Sequence, residues 1–389
     1  MLAKPTEPWK PDYPRFGCDD HPGRILSGSV RIVMDVSPLS LPRTGIGNYV
    51  RGMVAGLAEA AGDRHELVAF APSGPRGRRR IQEALAGLPV QLRLPLLPRA
   101  QVWRSSWSRV GRPPVEAVVG PLDVFHFSDW MYPSQRAGIR ATTVHDLVPL
   151  RFPEWVQPRT RRMHGPKYEN AARTCDRMFV NSEFTGREVA ELLGVAKERV
   201  VVAYPGIDPR FRPDGDDANL GGPYVLAVST LEPRKNLPAL VAAFALLRRR
   251  RPELTLAIAG LSGWEERPLD AEGVRLLGFV SDGGLARLYR GAAAFAYPSR
   301  FEGFGLPIVE AIACGTPAVV SSHASLDEAS GGIALRANPE DAGAFAQALE
   351  QALDAPRELR ERGIAHAERF TWRACGEAVL AGYESALTN

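Results

Sequence analysis

Apolar and polar residues follow one another along this chain in short blocks, and most apolar blocks are long enough for one strand. Apolar runs of this length are typical of parallel strands that are buried on both faces. Helical patterns follow most of them, so the order predicts two doubly wound α/β domains. The predicted strands are 30–36, 67–72, 123–127, 141–144, 178–181, 200–204, 224–230, 254–259, a run from 274, 294–297 and 317–320.

The clearest pattern spans residues 293–321 and reads strand, loop, helix, turn, strand. Pro307 stands where the first helical residue is expected, and Gly315 stands just past the expected end. Proline is favoured at the start of a helix and glycine beyond its end. Ligands of such sheets bind beyond the carboxyl ends of the strands. The loop before Pro307 is therefore the first candidate for a binding site.

Two glycines and two glutamates give this loop and helix their chemistry. Gly303 and Gly305 allow the backbone to approach a ligand closely. Glu302 and Glu310 stand on either side, with seven residues between them. A carboxylate accepts two hydrogen bonds, which suits a vicinal diol. One diol in a ribose and another in a hexose would make the ligand a nucleotide sugar.

Candidates for binding phosphate follow two other strands. Gly45 and Gly47 open a helix after the first strand, where backbone N–H groups attract anions. Val50 stands where a third glycine would complete a dinucleotide fingerprint, which weakens the interpretation as a dehydrogenase. Arg234 and Lys235 follow another strand and precede a predicted helix over 237–247. An arginine fork beside a lysine suits a diphosphate.

These motifs carry a resemblance to a known family. Residues 300–311, Arg-Phe-Glu-Gly-Phe-Gly-Leu-Pro-Ile-Val-Glu-Ala, resemble the E-x7-E signature of the retaining glycosyltransferases of family four, which have the GT-B fold. His145-Asp-Leu resembles a strand end seen in mannosyltransferase-like members, where the histidine faces the donor sugar. The pair Arg234 and Lys235 looks like the family's diphosphate site. The resemblance covers residues 30–389 and implies two Rossmann-like domains facing each other across a cleft.

The resemblance implies roles for the candidate residues. The residues it assigns to catalysis are His145, Arg234, Lys235 and Glu302. The residues it assigns to donor binding are Gly45, Gly47, Arg234, Lys235, Phe279, Val280, Glu302, Gly303, Phe304, Gly305, Leu306 and Glu310. Near Phe279 and Val280 the backbone would bind the base, while Glu302 would hold the hexose and Glu310 the ribose. No metal ligand and no cofactor are expected.

The implied reaction moves a hexosyl group from a nucleoside diphosphate sugar to an acceptor hydroxyl, with retention of configuration. GDP-mannose is the favoured donor, from the His145 segment alone. The acceptor is a glycan, a lipid-linked sugar or a small molecule, and no nucleic-acid partner is expected. Two alternatives stay open: a sugar-nucleotide epimerase on the same architecture, and a non-catalytic module that binds nucleotide sugars.

The pattern also predicts domain boundaries. Residues 1–29 are rich in proline, glycine and charge and are expected to form a flexible leader. Residues 30–205 form the acceptor-side domain, 206–222 a linker, and 223–370 the domain for the nucleotide sugar. The resemblance implies that 371–389 form a helix returning to the first domain. Asp214-Gly-Asp216 matches a metal-binding D-x-D pattern, but in a polar linker we interpret it as solvated.

Composition adds a compartment and a charge asymmetry. The four cysteines lack metal-binding spacing, which fits a reducing cytoplasm. Residues 1–205 carry 29 Lys and Arg against 20 Asp and Glu, whereas 206–389 carry 19 against 24. The basic half suggests an anionic acceptor, peripheral contact with the inner face of the membrane, or an arginine-rich codon bias. Residues 76–80 are predicted as a solvated basic loop, and 99–112 as an amphipathic helix with its tryptophans inward or at an interface.

Overall fold

Two parallel sheets, each flanked by helices, make up the computed structural model. The structure describes residues 28–42, 44–128, 131–260, 269 and 271–388, so the predicted leader lies outside the described residues except for its last two. The strands of the first sheet are β1 Arg31–Asp35, β2 Glu66–Phe70, β3 Gln91–Arg93, β4 Val124–Phe127, β5 Ile139–Val144, β6 Arg177–Val180 and β7 Val200–Val202. Those of the second are β8 Tyr224–Val228, β9 Thr255–Ala259, β10 Val274–Gly278, β11 Ala294–Tyr297, β12 Ala318–Ser321 and β13 Leu335–Ala337.

Helices connect these strands on both faces. In the first half they are α1 Gly45–Ala61, α2 Pro75–Ala84, α3 Ala100–Val110, α4 Glu116–Val119, α5 Val148–Arg151, α6 Pro158–Thr174 and α7 Glu183–Leu193. In the second half they are α8 Leu237–Arg248, α9 Asp282–Gly291, α10 Leu306–Ala313, α11 Ala324–Ser330, α12 Ala342–Leu353, α13 Arg357–Ala367 and α14 Trp372–Leu387. Within the described ranges, no helix is both long and apolar enough to cross a bilayer.

Strand order explains where a ligand can bind. The first sheet runs β3-β2-β1-β4-β5-β6-β7 and the second β10-β9-β8-β11-β12-β13, with every pair parallel. In both sheets the order reverses beside the first strand, between β1 and β4 and between β8 and β11. The loops diverge there and leave a crevice beyond the strand ends. This confirms the predicted pair of doubly wound α/β units.

The last helix packs against the first half of the chain. Its residues Cys375, Val379, Leu380 and Tyr383 belong to the core formed around β1 and α1. Small residues allow the close contact of α14 with α1: a Cβ on Gly56 would lie 1.7 Å from the carbonyl oxygen of Trp372. The chain passes between the two halves twice, first after β7 and again before α14. These two segments lie side by side, since the Ile207 N–H donates to the Phe370 carbonyl at 3.0 Å.

Two predictions about the arginine-rich segments have clear outcomes. The loop predicted at 76–80 is wrong, because these residues lie within α2. Pro75 begins this helix, and Ile81 anchors it in the core while the arginines stay exposed. Of the two alternatives for the tryptophans of α3, the structure shows the inward one: Trp107 is buried, and the Trp103 ring packs on it with centroids 4.6 Å apart.

The cysteines within the described residues are all reduced. Cys175, Cys314 and Cys375 are free thiols buried in the cores, and burial raises the pKa of each to about 12. Thiols with such pKa values are inert packing groups at neutral pH. Cys18 lies outside the described residues.

Candidate active site

Three charged side chains meet at the switch point of the second sheet. Arg234 and Lys235 form a 3-10 turn after β8, and Glu302 lies in the loop after β11. The Arg234 Nη1 donates to Glu302 Oε2 at 2.7 Å, and the Lys235 Nζ donates to the other carboxylate oxygen. The neighbouring strands β8 and β11 therefore bring together residues that are 67 positions apart.

The charges in this cluster are strongly coupled. Burial alone would raise the pKa of Glu302, but Arg234 and Lys235 together hold it down at about 2. Burial opposes the charge of Arg234 too, yet the carboxylates of Glu302 and Asp146, among others, raise its pKa. For Lys235, burial and the nearby guanidinium lower the pKa. Glu302 and Arg234 are accordingly ionised at neutral pH.

The glycine loop after Glu302 lies against the first half of the chain. A Cβ on Gly303 would lie 1.9 Å from the carbonyl oxygen of His145, so only glycine fits between the two strand ends. His145 itself follows β5, and its ring meets the Tyr49 ring edge-on at 4.6 Å. Next to it, the Asp146 charge acts on Arg234 across the cleft. The strand ends of both sheets thus face one another.

The other glycine pair, Gly45 and Gly47, lies at the start of α1, on the side of the cleft formed by the first half of the chain. Gly45 is exposed, and a Cβ added there would meet nothing within 4 Å. Gly47 donates its N–H to the capping hydroxyl of Thr44 at 3.1 Å. The cap occupies the Gly47 N–H, so Gly45 is the better placed of the two for contact with a phosphate.

Comparison with known proteins agrees with this geometry. Residues 43–211 match the family described as Glycosyltransferase Family 4, and residues 213–370 match Glycosyl transferases group 1. O-antigen chain mannosyltransferase B of Escherichia coli is 30% identical over 394 residues, covering 91% of this chain and 100% of the relative. The chain belongs to glycosyltransferase family 4.

Solved structures extend the likeness to the whole GT-B fold. Sucrose-phosphate synthase of Thermosynechococcus elongatus superposes with a TM-score of 0.65 at 23% identity, covering 91% of this chain and 97% of that one. HepE of Anabaena in complex with UDP-glucose gives 0.65 at 18% identity, covering 92% and 100%. The protein is therefore a two-domain GT-B glycosyltransferase, as the E-x7-E segment predicted.

The remaining donor-site candidates of the glycosyltransferase occupy different surroundings. Phe279 follows the edge strand β10 and is 59% exposed, whereas Phe304 is buried against Phe370. Gly305 has a φ of 112° and caps α10. Val280 and Leu306 are both partly buried and pack against the second core.

Glu310 lies just past the first turn of α10, whereas the expected start at Pro307 placed it within that turn. It is the fifth residue of α10, not part of its first turn, because the helix begins at Leu306. Its Oε2 accepts a hydrogen bond from the Tyr289 hydroxyl at 3.0 Å. This bond fixes the carboxylate beside the helix.

Several polar groups of the transferase site escaped the sequence analysis. The Tyr297 hydroxyl donates to Glu302 at 3.0 Å and accepts from Lys235 at 3.1 Å. The Ser325 hydroxyl donates to the Glu302 carbonyl at 2.7 Å. Tyr297 could have been found as the last residue of a strand at the switch point. Ser325 had no local signal, because it comes from another element.

The D-x-D pair lies away from this site. Asp214 and Asp216 are exposed in the connection between the two sheets, where the Asp216 carbonyl accepts from Arg290 at 2.7 Å. Among the described residues, no three His, Cys, Asp or Glu side chains are grouped closely enough to hold a metal ion.

Proposed function

We propose that this glycosyltransferase moves a hexosyl group from a nucleoside diphosphate sugar to an acceptor hydroxyl, with retention of configuration and without a metal. The observation that supports it most is the cluster of Arg234, Lys235 and Glu302 facing His145 across the cleft. The leaving diphosphate gains negative charge as the anomeric bond breaks, so fixed cations there stabilise the transition state.

The charge balance of the cluster suggests how the diphosphate enters. In the structure, Arg234 also donates its Nε to Glu232 at 3.0 Å, so two carboxylates neutralise the two cations. The Glu232 side chain is 27% exposed and the Glu302 side chain 9%. A diphosphate would displace the more exposed Glu232 from Arg234, while Glu302 stays with Lys235 and contacts the hexose.

The same arrangement supports retention by a route without a covalent intermediate. A double displacement requires a carboxylate nucleophile about 5 Å from a second carboxyl group. Glu302 is already engaged by three side chains, which makes it a poor nucleophile. We therefore assign a same-face reaction in which the leaving phosphate oxygen accepts the proton of the acceptor hydroxyl, with His145 beside the donor sugar.

The donor we propose is GDP-mannose. The His145-Asp-Leu segment favours mannose, and the E. coli relative is a mannosyltransferase by name. HepE was crystallised with UDP-glucose, which makes that donor the main competitor. The acceptor would be a glycan, a lipid-linked sugar or a small molecule.

Incubation with radiolabelled nucleotide sugars, with and without acceptor extracts and EDTA, tests the proposal. We expect transfer from GDP-mannose that survives excess chelator. Arg234→Ala should lower turnover, because it raises the activation barrier by about 2.7–4 kcal/mol. Arg249→Ala, an exposed arginine of the same half, serves as the control. Loss of activity in EDTA that manganese restores would refute the metal-free reaction. Transfer from UDP-glucose and not from GDP-mannose would refute GDP-mannose as the donor.

A further inference from the structure

Two N–H groups at the amino end of α7 are capped from the other half of the molecule. The N–H groups of Glu183 and Phe184 donate to the two carboxylate oxygens of Glu328 on α11, at 2.8 and 2.7 Å. The Tyr204 hydroxyl, in the connection between the sheets, donates to the same carboxylate at 3.2 Å. The first N–H groups of a helix have no partner within it, and a carboxylate there also meets the positive end of the helix dipole.

A second contact lies beside the first. The Ser182 hydroxyl caps α7 by accepting the Thr185 N–H, and it lies within hydrogen-bonding distance of the Gly303 carbonyl. The Thr185 hydroxyl donates to that same carbonyl at 3.1 Å. Besides capping α7, the Ser182 hydroxyl therefore has a partner across the cleft.

The second contact ends on the loop that carries the donor-site candidates, and the first ends on α11, which is bonded to that loop. Gly303 follows Glu302 directly, and Ser325 of α11 holds the Glu302 carbonyl at 2.7 Å. Glu328 lies on the same helix one turn later. One rigid group therefore comprises the Glu302 loop and α11, and the amino end of α7 binds it at two points.

We infer that Ser182, Thr185, Gly303 and Glu328 form an interdomain latch that fixes the Glu302 loop in register with His145. Its members are positioning residues, because they hold the two walls of the site together without touching reacting atoms. The bidentate cap is the larger of the two contacts, since the buried Glu328 carboxylate accepts two backbone N–H groups and the Tyr204 hydroxyl. The inference rests on the proposed function only for the identity of the ligand in the loop.

Glu328→Ala tests the latch, with Asp327→Asn as the matched control. Asp327 is the neighbouring residue on α11, but it pairs with Arg336 of β13 within the same half. Small-angle scattering of the free proteins is the first readout and needs no donor. We expect Glu328→Ala to have a larger radius of gyration than the wild type, and Asp327→Asn to match the wild type.

Kinetics provide the second readout. With the halves out of register, Glu328→Ala should lower kcat/KM for transfer about tenfold or more and raise the share of donor lost to hydrolysis. Glu328→Gln keeps one acceptor oxygen and should recover part of the transfer. A residue with a merely structural role would lower the melting temperature without changing the ratio of hydrolysis to transfer.

Thr185→Val keeps the β-branched shape and removes only the hydroxyl, so it extends the test if Glu328→Ala does not fold. It too should increase the radius of gyration and the share of hydrolysis. The latch would be overturned if Glu328→Ala were as compact as the wild type and had an unchanged ratio of hydrolysis to transfer. If Glu328→Ala does not fold, the same outcome for Thr185→Val would overturn it. Absence of transfer by the wild type from every nucleotide sugar would instead refute the proposed function, while the scattering would still decide the latch.

Discussion

Glu302 is the residue on which the charge balance of the site depends. It accepts hydrogen bonds from Arg234, Lys235 and Tyr297 and is almost fully buried. Removing one partner from a buried ion pair leaves the other charge uncompensated, which costs about 3–5 kcal/mol. An exposed pair of the same kind contributes about 0–1 kcal/mol.

The pKa of Glu302 gives a prediction about stability and pH. Because the folded-state pKa is lowered from 4.5 to about 2, the ionised carboxylate stabilises the fold above pH 4.5 and loses this effect as the pH falls toward 2. Glu302→Gln should lower the melting temperature at pH 7 and reduce the decline between pH 4.5 and 2. Glu340→Gln, at the exposed pair with Arg300, is the control and should change little. Parallel curves of melting temperature against pH for the wild type and Glu302→Gln would contradict the lowered pKa of Glu302.

Binding of a nucleoside diphosphate should separate the two glutamates. We expect Glu310→Ala to weaken the binding of the nucleoside diphosphate and of the sugar donor alike, because the ribose is common to both. Losing a hydrogen bond to a charged group costs about 1.5–3 kcal/mol, which calorimetry resolves. Glu302→Gln should bind the nucleoside diphosphate at least as tightly as the wild type, since it withdraws a negative charge from Arg234 and Lys235, yet use the sugar donor poorly. Equal losses of affinity in the two variants would rule out this division of roles.

At the scale of elements, local signals predicted most of the fold. A serine at position 182, just before an apolar pattern, predicts a helix over residues 183–193, and α7 has these bounds. The strand Ala294–Tyr297 is likewise confirmed. Helix α2 was missed because Ile81 is its single buried residue, so its arginine-rich sequence shows no apolar repeat that would indicate a helix. Tyr297 and Glu328 were missed as polar contacts because their partners are set by the packing of distant elements, which no local pattern encodes.

The packing of α14 on α1 gives a prediction for a helical glycine. Gly56→Ala would place a Cβ 1.7 Å from the Trp372 carbonyl oxygen, which is backbone and cannot move aside cheaply. Overpacking of this kind costs about 1–3 kcal/mol, so the melting temperature should fall. Gly283→Ala in α9 is the matched control, because a Cβ there meets nothing within 4 Å, and it should stabilise the protein by about 0.4–1 kcal/mol. Similar melting temperatures for the two variants would contradict the close contact between the helices.

At the scale of the whole molecule, exposed arginines and exposed apolar side chains occur together along α2, α3 and the segment between them, which we call the basic face. Arg80 of α2 and Arg104 of α3 both bond Ser40, so the two helices flank the same turn. The outer surface of these helices and the segment between them carries exposed arginines and exposed apolar side chains: Arg76, Arg78, Arg79, Leu96, Val102 and Val110. We propose that this face contacts an anionic membrane surface, where each basic residue contributes about 1 kcal/mol.

Vesicle sedimentation tests this contact. The wild type should sediment with vesicles that contain anionic lipid and not with neutral ones. Reversing two charges in Arg76→Glu/Arg78→Glu should weaken binding by more than about tenfold, whereas Arg249→Glu in the second half should leave it unchanged. Equal binding of the double variant and the wild type would show that the basic face is not the contact.

The return of α14 to the first sheet has a consequence for how the protein is made. The buried His126 on β4 bonds Tyr383 of α14 at 2.6 Å, and the two residues are 257 positions apart in the chain. A ribosome adds about 5–20 residues per second, so His126 is synthesised roughly 13–50 s before its partner. Throughout that interval the groove on α1 that receives α14 stays uncovered. The amino-terminal half is therefore the first to be synthesised, yet it completes its core only when the last helix leaves the ribosome.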